Sequence, residues 1–198
     1  MSLFRRVQHS VQMRLYKFVS TEQLISRVRK GNSKANATLL AALKERLAHQ
    51  DGTLAEIDLT DVKLKKALLP SAQLTKASFT NAHLPDAYFA YSDLSYANFE
   101  RAVLSDAHFR ETNLSYANLS SANLQRVNFA RADLRHADLN SADLTDANLW
   151  RANLCGANLT DATLTNTNFT DVEIDAATVL PDGSTGHSDV DWANFVVT

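Results

Sequence analysis

An apolar residue recurs at every fifth position from Leu54 without a slip of register, through Leu59, Leu64, Leu69, Leu74, Phe79, Leu84, Phe89, Leu94 and Phe99 and on to Phe169, Ile174 and Val179. A period of five matches neither the 3.6 of an α-helix nor the 2 of a strand, so neither an amphipathic helix nor a hairpin places these residues on one face. Two residues before each centre sits something small. From Ala67 to Ala162 it is alanine, apart from Ser92, Thr112 and Val127. The residue just before the centre is often Asp or Asn, as in Ala132-Asp133-Leu134 and Ala157-Asn158-Leu159. Self-similarity at a fixed period predicts a solenoid in which each unit forms one side of a coil, with the centre and the small residue pointing inward. Asn and Asp tolerate tight turns and hydrogen-bond the local backbone, which explains how corners form in a chain of 198 residues with only 5 Gly and 3 Pro.

The phenylalanines bear on the number of sides. All those at repeat centres (Phe79, Phe89, Phe99, Phe109, Phe129, Phe169) are separated by multiples of ten. A three-sided coil would scatter them over every face, whereas four sides place them on two opposite faces. Random placement would give this parity about one time in thirty. The Ala-(Asp/Asn)-Leu-x-x signature, in register over roughly two thirds of the chain, resembles that of the pentapeptide-repeat family. The resemblance implies an all-β solenoid, a right-handed quadrilateral (four-sided) β-helix of about six coils spaced by about 4.8 Å. It implies no common activity.

Charge divides the chain where the repeat begins. Residues 1–53 hold ten Lys/Arg against Glu22, Glu45 and Asp51, a net of 10 − 3 = +7, and residues 54–198 hold ten against nineteen Asp/Glu, a net of 10 − 19 = −9. Three regions are expected: a basic helical N-terminal region and cap over 1–53, the repeat over 54–179, and a turn with a capping tail over 180–198. In the first, Phe4, Val7, Val11, Leu15 and Phe18 recur at helical spacing, Ser20 to Gln23 reads as a capping box for a second helix, and Leu39, Leu40, Leu43 and Leu47 form the stripe of a third. The preferred reading is a helical cap on the first coil; a membrane-surface helix, a targeting peptide or an anchor for another protein are its rivals. At the far end, Leu180-Pro181-Asp182-Gly183 is a turn signal, and Val190, Trp192 and Phe195 are expected to fold over the last coil and keep the chain monomeric. The rival is a homodimer through the C-terminal end, as the resemblance to proteins acting on topoisomerases implies. With a single cysteine, Cys155, no uninterrupted apolar signal core and no apolar run near the 18 or so residues that span a bilayer, a cytoplasmic location is expected.

Function must sit on the outward positions. Residues twenty apart become neighbours, giving a ladder of Glu111, Arg131, Arg151 and Asp171 and a column of Lys76, Tyr96, Tyr116 and His136. Such ladders can serve only solubility and register, but exposed aromatics and arginines are also typical anchors for partners. The candidate interaction surface is Tyr96, Tyr116, His136, Trp150, Arg131 and Arg151. Catalytic, cofactor-binding and metal-binding residues are not expected: the six histidines lack close ligand spacing, one cysteine cannot build a zinc cluster, and no Gly-rich phosphate loop occurs. His108 near Asp106, and His136 near Asp133 and Asp138, are proximities that frequent Asp at repeat positions produces by chance. The chain reads as a non-catalytic protein-interaction or scaffold module for an unspecified protein. The alternative is an acidic DNA mimic that binds gyrase or another DNA-binding protein, a reading opposed by Arg101, Arg110, Arg126, Arg131, Arg135 and Arg151 in the repeat. Direct nucleic-acid binding is not expected, because only the N-terminal region is basic.

Overall fold

The computed structural model describes residues 54–187, 190–192 and 195. The helices expected over residues 1–53 lie outside them. From Leu54 onward the chain winds in coils whose residues bridge in parallel to those 20 later, from Asp58↔Ser78 to Asn153↔Glu173.

The backbone hydrogen bonds explain why a five-residue unit repeats. In the unit 132–136 all the N–H groups have partners. Ala132 donates to Phe129 O (2.9 Å) across a turn, Asp133 to Thr112 O in the coil below (3.0 Å), and Leu134 and His136 to Asn153 O (2.8 Å) and Cys155 O (3.0 Å) in the coil above. The remaining N–H, that of Arg135, points away from both neighbouring coils and is taken by Asp133 Oδ1 (3.1 Å). Asp93, Asn118, Asn148 and Asn158 accept from the residue two places on in the same way. Asx residues before the centre therefore satisfy a donor that coil stacking leaves over.

The expected all-β solenoid, and with it the right-handed quadrilateral β-helix, requires correction. Among the described residues none lies in an α-helix or a β-strand, and every bridge is isolated. The cause is local. The second residue after each centre has a positive φ, between 53° and 64° at every such position from Glu56 to Asp171 except Gly156, where it is 71°. That residue is the third of a reverse turn, the φ > 0 position of type II turns. Each unit spends two residues turning and sends one N–H to a side chain, so a single outward residue per side bridges, and neither strand nor sheet develops. The repeat, residues 54–179, is a stack of turns held together by bonds between coils.

Four corners make one coil. Corner I carries Glu56, Lys76, Tyr96, Tyr116, His136 and Gly156; corner II carries Asp61, Asn81, Arg101, Ser121, Ser141 and Asp161; corner III begins at Lys66 and corner IV at Ser71. The interior is filled by the centres and the small residues, nearly all of them below 10% exposed. Phe79 and Phe99 stack with centroids 4.6 Å apart, and Phe89, Phe109 and Phe129 stack on the opposite side at 5.1 and 5.2 Å. The two columns meet edge to face, as in Phe99–Phe109 at 5.9 Å, an arrangement that favours aromatic pairs. Two of the departures from alanine have a reason. The hydroxyls of Ser92 and Thr112 donate to the carbonyls of Leu69 (2.7 Å) and Phe89 (2.9 Å), as do those of Thr167 and Thr178 to Leu144 (2.8 Å) and Leu154 (3.0 Å), so no polar group is buried without a bond at these positions.

Candidate functional site

Positive φ turns the corner side chains outward, so the corners are the display positions of this fold. On corner I the rings of Tyr96 and Tyr116 stack at 4.9 Å with planes 3° apart, and His136 continues the stack at 4.7 Å and 20°. Both tyrosines remain about half exposed, at 53% and 49%. Stacking occupies both faces of Tyr116, so the column offers a partner ring edges and phenolic hydroxyls rather than a flat platform for a sugar or base. Lys76 below Tyr96 pairs with Glu56 at 3.7 Å.

The stack ends on Gly156. A Cβ there would collide with the His136 imidazole, so the close approach of the ring, more than a φ that other corners share with a side chain, selects glycine here. Gly156→Ala is expected to cost about 1–2 kcal/mol through the left-handed backbone alone and to push His136 off Tyr116. The His136 ring-proton shifts report the displacement by NMR, and shifts identical to wild type would refute it. The Gly156 N–H donates to Asp175 Oδ1 at 2.9 Å, which also accepts from the N–H groups of Ala177 (3.0 Å) and Thr178 (3.1 Å). These bonds, that from Gly156 foremost, hold the Asp175 carboxyl below the usual carboxylate range. Its folded pKa lies below its unfolded value of about 3.9, so its stabilisation is complete above that value and is lost as the pH falls through the depressed one. Acid unfolding followed by circular dichroism from pH 5 to pH 2 should be less steep in Asp175→Asn than in wild type; parallel curves would remove this role.

Corner IV carries the second group. Trp150 lies beside two guanidinium groups, Arg131 at 5.2 Å and Arg151 at 4.8 Å from its ring centroid. Arg131 and Arg110 share Glu111, at 3.7 and 3.1 Å, and Arg151 pairs with Asp171 at 3.2 Å. These are exposed pairs of small individual value, but with the indole they hold the arginines upright along one ridge.

Corners IV and I are consecutive, so they border one face. Its floor is Asp93, Asn113, Asp133, Asn153 and Glu173, tied by Asn113 Nδ2 to Asp93 (3.1 Å) and Asn153 Nδ2 to Glu173 (2.5 Å). Arg135 beside corner I grips Asp133 with two bonds, of 2.9 and 2.6 Å. Partial burial opposes ionisation of Asp133, but these bonds outweigh it and its pKa falls. The fold thus brings all six expected surface residues, Tyr96, Tyr116, His136, Trp150, Arg131 and Arg151, to the margins of one face. Residue-by-residue reading missed that Tyr91, Arg110 and Arg135 join them. The signal was available, since Tyr91 and Arg110 lie in the Arg131 and Trp150 columns and Arg135 directly precedes His136.

Among the described residues, chemistry of other kinds finds no seat. No group of three or more His, Cys, Asp or Glu able to hold a metal occurs among the described residues. Burial pushes the Cys155 thiol up, with Asp175 and Glu173 adding to the effect, which leaves it a poor nucleophile. Among the described residues no helix is long and apolar enough to cross a membrane.

The sequence model of the pentapeptide repeat region matches residues 62–139 and 82–159. Similar solved structures include a pentapeptide repeat protein of the Arabidopsis thaliana thylakoid lumen, 25% identical over 61% of this chain and 71% of that one, with a TM-score of 0.45. Rfr23 from the cyanobacterium Cyanothece 51142 is 22% identical over 71% of this chain and 99% of its own, with a TM-score of 0.32. QnrB1, a plasmid-mediated fluoroquinolone resistance protein, is 24% identical over 62% of this chain and 81% of its own, with a TM-score of 0.27. No curated protein sequence matches the chain.

Proposed function

We propose, from the premise that this chain belongs to the pentapeptide-repeat family, that it is a non-catalytic protein-interaction module docking its partner along the face between corners IV and I. The observation that carries this reading is the gathering of Trp150, Tyr96, Tyr116, Arg131 and Arg151 on the two margins of that face. Trp, Tyr and Arg are the residue types that dominate interface energies. Stacking and ion pairing hold them in place before contact, which lowers the entropy lost on binding.

A second reading has its own observation. On corner II and the face before it lie Asp58, Asp61, Glu100, Asp138 and Asp161, and Asp182 follows in a turn whose Pro181 accepts the Asp161 N–H. Against these six carboxylates stands Arg101, paired with Glu100 at 2.9 Å. This acidic strip supports engagement of a DNA-binding protein such as gyrase in place of a duplex.

Corners II and IV are opposite, so the readings separate by mutation. In affinity capture from native lysate, Trp150→Ala with Arg131→Glu should weaken retention of the bound protein about 30-fold or more, the equivalent of about 2 kcal/mol. Asp138→Lys with Asp161→Lys should leave it unchanged. The acidic reading expects the reverse, together with inhibition of gyrase supercoiling by micromolar protein that the lysine variant abolishes. Retention untouched by the corner IV changes would end the first reading, and undisturbed supercoiling would end gyrase as the partner in the second.

A further inference from the structure

Along corner IV the charges run Glu111, Arg131, Arg151, Asp171, one residue per coil. Opposite signs meet at the first and last steps, where Arg131 approaches Glu111 to 3.7 Å and Arg151 approaches Asp171 to 3.2 Å. At the middle step two cations are neighbours. Consecutive coils are about 4.8 Å apart, and both guanidinium groups lie against the one indole of Trp150, at 5.2 and 4.8 Å from its centroid. The ladder therefore leaves a single step without a carboxylate, the one beside Trp150.

Hydrogen bonding singles out the same step. Arg110 Nε donates to Glu111 (3.2 Å), Arg135 grips Asp133 with two bonds (2.9 and 2.6 Å), and Arg151 Nε donates to Asp171 (3.2 Å). The Arg131 side chain, by contrast, makes no hydrogen bond among the described residues, although Trp150 and the 3.7 Å approach to Glu111 hold it in place. The carboxylates of the face are all engaged. Asp93 accepts from Asn113 (3.1 Å), Glu173 from Asn153 (2.5 Å), and Glu111, Asp133 and Asp171 from the arginines just named. What the face lacks is an anion, not a cation.

The geometry points to an acidic protein segment as the partner of this face, with an Asp or Glu carboxylate seated between Arg131 and Arg151 beside the Trp150 indole. This rests on the docking reading of the face between corners IV and I, and names the chemistry of its partner. A carboxylate matches the planar guanidinium fork with paired N–H···O bonds. The indole keeps water from one side of the site, which strengthens the pair relative to freely solvated ions. Charge decides between carboxylate and phosphate. Arg110, Arg131 and Arg151 against Glu111 and Asp171 leave 3 − 2 = +1, which one carboxylate neutralises. A phosphoryl group carries about −1.5 to −2 at pH 7, so it overshoots and meets Glu111 and Asp171 as like charges. Residues 54–198 as a whole carry 10 − 19 = −9, so the same segment is repelled from the other faces. Attraction at one step amid general repulsion fixes where the segment docks.

NMR of the arginine Nε–H groups in the full-length chain tests this during titration with a short peptide of alternating Glu and Gly, beside peptides with Gln or phosphoserine in place of Glu. The Glu peptide should shift the Arg131, Arg151 and Trp150 indole signals first and bind about tenfold tighter than the other two. Arg131→Gln should reduce it to the affinity of the Gln peptide. Equal affinity for the Glu and Gln peptides overturns the proposal without recourse to any variant, as does tighter binding of the phosphoserine peptide. So does binding confined to the basic residues 1–53, which Arg131→Gln would leave unchanged. Capture from native lysate separates this inference from the reading beneath it. Arg131→Gln with Arg151→Gln should weaken retention about tenfold or more. If Trp150→Ala with Arg131→Glu releases the bound protein and the glutamine pair does not, the face still docks its partner but the acidic segment is wrong. If neither releases it, the face itself is wrong and the proposal falls with it.

Discussion

Phe109→Ala is expected to lower the stability of the stack by about 3–5 kcal/mol, the range for truncating a fully buried aromatic. Phe109 has no exposed surface, and its ring lies between Phe89 at 5.1 Å and Phe129 at 5.2 Å, with Phe99 edge-on at 5.9 Å. The backbone of each coil is bonded to the coils above and below, so the walls cannot collapse far into the space vacated. The loss therefore includes a cavity as well as the apolar surface. Urea unfolding measures it directly. A loss below about 1 kcal/mol would mean that neighbouring side chains refill the site and that the column is not a tightly packed stack.

The second large effect is expected at an exposed residue. Ser121 touches solvent on corner II, yet its φ is 56° and its N–H donates to Asn140 O at 2.8 Å. Proline holds φ near −65° and has no N–H, so Ser121→Pro opposes the corner and removes a bond between coils, at a cost of about 3 kcal/mol or more. Ser121→Gly should act in the opposite sense, raising stability by about 1 kcal/mol as the left-handed penalty on a residue with a Cβ disappears. Thermal unfolding of the two variants beside wild type decides the matter. If proline is tolerated, the corner conformation is not what holds one coil to the next.

The contrast between Phe109 and Ser121 marks how far the amino-acid pattern could be read. The inward row was legible because burial selects for side-chain size and polarity at each position separately, and a period of five betrays itself through Leu, Phe and Ala. The exceptions Ser92 and Thr112 looked like breaks in the rule. They are small residues whose hydroxyls find a carbonyl in the coil below. The role of Asx before the centre was half legible, since the preference for local backbone bonding is intrinsic to Asn and Asp. Its target, the N–H two places on, became apparent only once the other donors had partners.

The backbone was the part that could not be read. Tyr, Arg, Lys, Glu and Ser occupy the positive-φ corners alongside Asn and Asp, so residue type does not announce the conformation. It is imposed from outside the unit: the corner N–H is held by the coil above, as Arg126 N is by Thr145 O at 2.9 Å, and the next residue closes the turn, as Val127 N does on Leu124 O at 3.2 Å. For the same reason the expectation of β-strands failed. A strand needs consecutive bridging residues, and corner geometry allows one per side.

The six surface residues were chosen singly from their columns, and their convergence on the margins of one face depended on the order of the corners around a coil. By itself, then, the sequence determined the period, the inward row and the family. Those follow from the burial of individual side chains. The tertiary structure alone decided the sign of φ at the corners, the absence of strands among the described residues, the glycine beneath His136 and which columns share a face, because hydrogen bonds between residues some twenty apart set them.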